Sequence, residues 1–172
     1  MKTLSSTLRF AFVAFFMMAM TLSVNAQMSK FEALYVYNFA KNLTFVDNTQ
    51  KSDLVVTVLG DLQLQNELQN IVKAKAGGRR VVVKGAASVA QLPKSDVIVV
   101  GKSMSAQMPE LVVNQGDKAL IVSTQKGLCS NGAAISLFAE NGKLTYEICK
   151  KNIKHAGLHV PQHLVSLGIE VF

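Results

Sequence analysis

Leu54-Val55-Val56-Thr57-Val58-Leu59 is the stretch that most limits what this chain can fold into. It is apolar and β-branched almost throughout, without the alternation of a strand that keeps one face wet. Such a run suits a strand buried on both faces, as in a parallel sheet whose crossovers carry helices to either side. Gly60-Asp61 then turns the chain, and Leu64, Leu68, Ile71 and Val72 recur at helical spacing within residues 62–76. Gly77-Gly78 stops that helix, and Arg79 to Lys84 reads as a second strand. Strand, helix and strand make a βαβ unit with a right-handed crossover.

The same reading extends along the chain. Ser29-Lys30-Phe31-Glu32 has the form of a capping box, opening a helix that runs to about Asn42 with Phe31, Leu34, Tyr35 and Phe39 on its apolar face. Asp47-Asn48 has turn chemistry. Asp96 to Val100 and Ala119 to Ser123 read as strands, and Ser88 to Leu92 and Pro109 to Asn114 as short helices. Lys150 to Ala156 reads as a helix ended by Gly157, and Gln162 to Leu167 as another with Pro161 at its first turn. Ile169 to Phe172 is a candidate edge strand. The expected fold class is α/β: a single domain with a mixed, mostly parallel sheet flanked by helices and a C-terminal antiparallel β-hairpin.

Asn141-Gly142 specifies that hairpin, because a type I′ turn needs positive φ at both central residues. With those two at the turn, paired residue numbers sum to 283. Ala139–Leu144, Leu137–Tyr146 and Ile135–Ile148 then share one face, expected to be the core face. Phe138–Thr145, Ser136–Glu147 and Ala134–Cys149 share the other, more polar face. The only two cysteines, Cys129 and Cys149, bracket this hairpin. Strict register would set Cys129 opposite Lys154, so the two can meet only if the chain folds back at Asn131-Gly132.

The first 26 residues read as an address. Lys2 and Arg9 precede the short apolar run Phe10 to Leu22, and Ser23-Val24-Asn25-Ala26 fits a cleavage site. A signal peptide over 1–26 leaves one domain over 27–172 and places it in the periplasm. In an oxidising compartment two cysteines tend to pair, closing a loop of about 20 residues worth on the order of 3 kcal/mol. Such a bond serves either as a plain staple or as a redox-sensitive lock. The leader holds two of the 18 basic residues and no acid, so 27–172 carries 16 basic against 11 acidic side chains, net +5. The basic residues are scattered apart from Arg79-Arg80 and Lys150-Lys151, which implies only weak attraction to anionic surfaces. Export and the absence of an aromatic-basic stripe argue against nucleic acid.

Three constellations invite chemistry and fail on inspection. Gly101-Lys102-Ser103 imitates the end of a phosphate loop, but Asp96 stands where its first glycine belongs. His155, His159 and His163 have helical spacing, yet Gly157 and Pro161 interrupt the helix, so no metal site is expected. No nucleophile–base grouping stands out, and neither enzyme activity nor a cofactor is expected.

The order of segments resembles the YfiR-like family of secreted bacterial proteins. The resemblance rests on Ala33-Leu34-Tyr35-Val36-Tyr37-Asn38-Phe39-Ala40-Lys41, Val58-Leu59-Gly60-Asp61 and Gly78-Arg79-Arg80-Val81-Val82-Val83. It continues in Gly142-Lys143-Leu144-Thr145-Tyr146-Glu147-Ile148, Ala156-Gly157-Leu158 and the tail from Leu164 to Val171. Three departures stand out. Phe45-Val46 replaces the Trp-Pro of many relatives, a second cysteine pair is missing, and His159, Pro161 and His163 replace small polar residues. The resemblance implies a non-enzymatic periplasmic regulator that binds the extracytoplasmic domain of an inner-membrane signalling protein, as repressors of diguanylate cyclases do. It also implies dimers, redox modulation, and Cys129 and Cys149 as the family's C-terminal disulfide pair. Leu158, Val160, His163 and Leu164 are the expected partner-binding patch, with core packing the competing role for each leucine. The alternative is a binding protein for small envelope fragments, with a cleft at the strand ends.

Overall fold

A computed structural model describes residues 27–42, 44–45, 53–75, 79–159 and 161–171. The leader, the Asp47-Asn48 turn, Gly77-Gly78 and Val160 lie outside the described residues. Helix α1 covers 27–42. It is followed by β1 (Thr44–Phe45), β2 (Asp53–Leu59), α2 (Leu62–Ala74), β3 (Arg80–Ala86), β4 (Val97–Val100), α3 (Met108–Gln115) and β5 (Leu120–Ser123). The hairpin strands β6 (Ile135–Glu140) and β7 (Lys143–Ile148) come next, then α4 (Lys150–His155), β8 (Leu158–His159), α5 (Gln162–Leu167) and β9 (Ile169–Glu170).

Seven strands form one sheet in the order β3-β2-β4-β5-β6-β7-β9. The first five are parallel, β6 and β7 are antiparallel, and β9 returns parallel to β7. The β2 run is buried as its composition demands: Leu54, Val56 and Val58 enter one core, and Leu59 enters the core on the opposite face. The hairpin register is the one set by Asn141-Gly142, from Glu140 opposite Lys143 to Ile135 opposite Ile148. Asn141 and Gly142 take φ of 51° and 74°, as a type I′ turn requires.

The first face of the sheet holds the larger core. Ala33, Val36, Phe39 and Ala40 of α1 pack there with Leu64 and Leu68 of α2, Ile153 of α4, and Leu164 and Val165 of α5. Tyr146 is its centre. The ring is 2% exposed, meets Tyr35 at 5.8 Å and Phe39 at 5.0 Å edge-on, and its hydroxyl donates to the Leu164 carbonyl. Gly168 lies against the same ring, where a Cβ would come within 2.4 Å of it. The second face holds a smaller core, in which Met108 and Leu111 of α3 cover Leu59, Ile98, Val100 and Ile121.

Two expectations change. Ser29 is not an N-cap: residue 27 is already helical and Ser29 is buried inside α1, so the helix passes through the apparent capping box. A local motif gives way here to an apolar face that continues upstream of it. The second change is a short antiparallel ribbon, β1 with β8, which pairs Thr44 with His159 and Phe45 with Leu158. Two-residue strands carry no periodicity by which a sequence could announce them.

Candidate functional site

The polar half of the second sheet face is covered by the loop between β5 and β6. Beneath it lie the two cysteines. Cys149 directly follows β7 and caps α4, its amide donating to the Ala134 carbonyl at 2.8 Å. Cys129 reaches it because the chain does fold back. The amides of Asn131 and Ala133 both bond the Leu128 carbonyl, and Gly132 bonds that of Cys129 with φ of 101°. A left-handed residue at this point is the reason glycine stands there.

Both thiols are buried and free, in hydrogen-bond contact with each other. Burial, the bond from Cys149 and the nearby charges of Cys149 and Glu147 push the Cys129 thiol up to about 12. A thiol held so firmly protonated is a poor nucleophile, so the closed pair exchanges slowly with outside disulfides.

Asn152 on α4 clamps the loop. Its side-chain amide donates at 2.8 Å to the carbonyls of both Cys129 and Ala133. Glu147 holds the other side, accepting from the Gly127 amide at 2.7 Å. Lys126 reaches over the Phe138 ring at 4.3 Å and pairs with Glu140 at 2.9 Å. Ser136 on β6, level with Glu147 on β7 and Ser123 on β5, keeps a buried hydroxyl with no hydrogen-bond partner among the described residues. Asn152 was invisible to sequence reasoning, because an asparagine three residues past a cysteine carries no signal until the loop is placed over it.

The expected partner patch does not assemble on the surface. Leu158 is 4% exposed and Leu164 9%, both in the main core. His163 is exposed, as are His155 and His159. Among the described residues no cluster of three or more His, Cys, Asp or Glu side chains could hold a metal. Leu167 and Ile169 are the exposed apolar residues of that region, at 72% and 47%.

Two other places could take a guest. Open α/β sheets bind ligands where neighbouring strands send their connections in opposite directions, here between the ends of β2 and β4. Met104 occupies part of that crevice, and a groove of about 450 Å3 lined by Gly60, Asp61, Gln65 and Ala86 stays open beside it. The Met104 side chain lies where a Cβ on Gly60 would come within 2.1 Å, and the Ser103 hydroxyl donates to the Gly60 carbonyl at 3.2 Å. A groove of about 420 Å3 remains between α1 and the hairpin turn, lined by Met28, Phe31, Tyr35 and Leu144. Close by on α1, Glu32 is half-buried; burial and then the charge of Asp61 raise its carboxyl to about 7.

Comparison with known proteins gives the fold context. The structure is similar to a conserved domain protein from Vibrio cholerae, with a TM-score of 0.54 and 14% identity over 83% of this chain and 59% of that one. It is also similar to the ABC domain from Streptococcus pneumonia solved in complex with L-Trp, with a TM-score of 0.51 and 14% identity over 69% of this chain and 55% of that one. This chain thus spans less than two thirds of either neighbour, and the likeness is one of fold. No curated protein matches it. A family model described as YfiR/HmsC-like matches residues 29–169, and the chain belongs to that family.

Proposed function

We propose that the protein is a non-enzymatic periplasmic regulator that binds the extracytoplasmic part of an inner-membrane signalling protein of the diguanylate cyclase type. Membership of the YfiR/HmsC-like family across residues 29–169 carries this reading, since that family is regulatory and works with membrane signalling partners. The leader over 1–26 supports export. The Cys129–Cys149 pair is the proposed point of redox control. Oxidation would join the two sulfurs with loss of two protons and two electrons to a disulfide-carrying oxidant, replacing a hydrogen-bonded contact by a covalent one. Homodimers belong to the same reading.

The test is capture from detergent-solubilised inner membranes by the secreted protein, run oxidised and reduced. Recovery of an integral membrane protein with a periplasmic domain, in amounts that depend on thiol state, is the expected result. Recovery of no integral membrane protein in either state sinks the proposal.

A second reading, a small-ligand binding protein, is favoured by the apolar groove beside Phe31 and Tyr35. Its fold neighbour from Streptococcus pneumonia holds tryptophan. Against it, Met104 takes up part of the crevice where such folds bind, although a groove of about 450 Å3 stays open beside Gly60 and Ala86. Titration calorimetry with aromatic amino acids and envelope fragments separates the readings, since only a ligand-binding protein gives saturable heat.

A further inference from the structure

Helix α1 starts where the leader is expected to end. Residue 27 is already helical, and the cleavage site read from Ser23-Val24-Asn25-Ala26 falls directly before it. On that reading the mature chain opens with Gln27, which then carries both a free α-amine and a side-chain carboxamide. Joining the two closes a five-membered ring. Gln27 is exposed at the rim of the groove between α1 and the hairpin turn, so the ring has room to close.

The surroundings of Gln27 disfavour a charged amine. An ammonium there would stand at the positive end of the α1 dipole, with no residue before it to cap the helix. Lys30 lies one turn along the same helix, and Lys143 lines the same groove, so the nearby charges are of like sign. Glu32, the nearest acid in the sequence, falls outside the i, i+3 and i, i+4 positions that face residue 27. The groove beside it is mostly apolar, with Met28, Phe31, Tyr35 and Leu144 in its wall. A neutral amide ring lies against such a surface at much lower cost than an ammonium does.

We propose that Gln27 is a modification site, converted after export to a pyroglutamyl residue that opens α1 without charge. The step rests on the export proposed from the leader and on cleavage after Ala26. The α-amine nitrogen attacks the side-chain carboxamide carbon, and a new carbon–nitrogen bond closes the lactam. The bond from that carbon to the side-chain nitrogen breaks, and this nitrogen leaves as ammonia with a proton from the amine. No electrons are exchanged, so the step needs no oxidant. The product has lost one positive charge and its primary amine, which closes the chain end to aminopeptidases.

The test is to express the full chain with its own leader, recover the secreted protein, and sequence its N-terminal tryptic peptide by tandem mass spectrometry after incubation at neutral pH. Trypsin releases residues 27–30, in which Gln27 is the only amide side chain. Loss of ammonia from this peptide is therefore distinct from succinimide formation at Asn131-Gly132 or Asn141-Gly142. The expected peptide begins at residue 27, is lighter than the encoded one by one ammonia, and regains a free amine at residue 28 after pyroglutamate aminopeptidase. The variant Gln27→Asn keeps an amide but is one methylene too short for the five-membered ring, and should retain its full mass and free amine. A peptide that begins at residue 27 with full mass and a free amine would overturn the proposal and leave export standing. A peptide that begins elsewhere would overturn cleavage after Ala26 and the proposal with it. The same loss from Gln27→Asn would rule out the lactam and overturn the proposal as well.

Discussion

The two faces of the sheet are built on different principles. The first is closed by α1, α2, α4 and α5 around a tyrosine whose hydroxyl is satisfied and whose ring is met edge-on by two others. The second is closed by α3 over one half and, over the other, by a loop held through Asn152 and Glu147 above two thiols. Hydrophobic burial resists opening globally, whereas a loop held by a few polar bonds opens locally at much lower cost. One face secures the fold; the other leaves a segment free to respond to chemistry.

Tyr146→Ala breaks the comparison from the stable side. It removes a fully buried ring together with the bond to Leu164, and should cost about 3–5 kcal/mol in urea or thermal unfolding. Tyr146→Phe keeps the ring and should cost only about 1–2 kcal/mol, the penalty of leaving the Leu164 carbonyl unpaired. Equal losses in the two variants would mean that the hydroxyl, not the packing, holds α5 to the sheet.

Glu32→Gln probes the edge of the same core through pH. With its carboxyl raised from 4.5 to about 7, folded Glu32 keeps a proton that the unfolded chain has already released. The folded state is therefore favoured at acid pH, and stability falls as pH rises through the window from 4.5 to 7. Glutamine mimics the protonated form. The variant should match wild type near the acid end of that window and exceed it by about 1–2 kcal/mol above its upper end, since partial exposure screens much of the shift. Melting curves across that range decide it, and a gain independent of pH would refute the assignment.

These contrasts also show what the amino-acid sequence could carry. The β2 run, the Asn141-Gly142 turn and the glycine at 157 act through local backbone physics, and each element they imply is present where expected. The supposed capping box at Ser29 is equally local, yet it is overridden by the continuation of α1. Leu158 and Leu164 had two possible fates, and only the tertiary fold sends them to the core. The meeting of Cys129 with Cys149 depends on one left-handed glycine, which sequence permits but does not require.

Asn152→Ala tests the second face with the smallest effect on global stability. It deletes two hydrogen bonds to backbone carbonyls that solvent can replace once the loop lifts, so melting should fall by no more than about 1 kcal/mol. The thiols should respond far more. In the closed state Cys129 is buried and held protonated, and reaction with a thiol reagent waits for the loop to open. Weakening the clamp raises the open fraction, so the reaction rate of both cysteines should rise about tenfold while the midpoint of unfolding hardly moves. A variant at Tyr146 should show the reverse, a large loss of stability with thiol reaction tied to global unfolding. If Asn152→Ala instead lowers stability as much as Tyr146→Phe and leaves thiol reaction unchanged, the loop is part of the cooperative core and the distinction between the two faces fails.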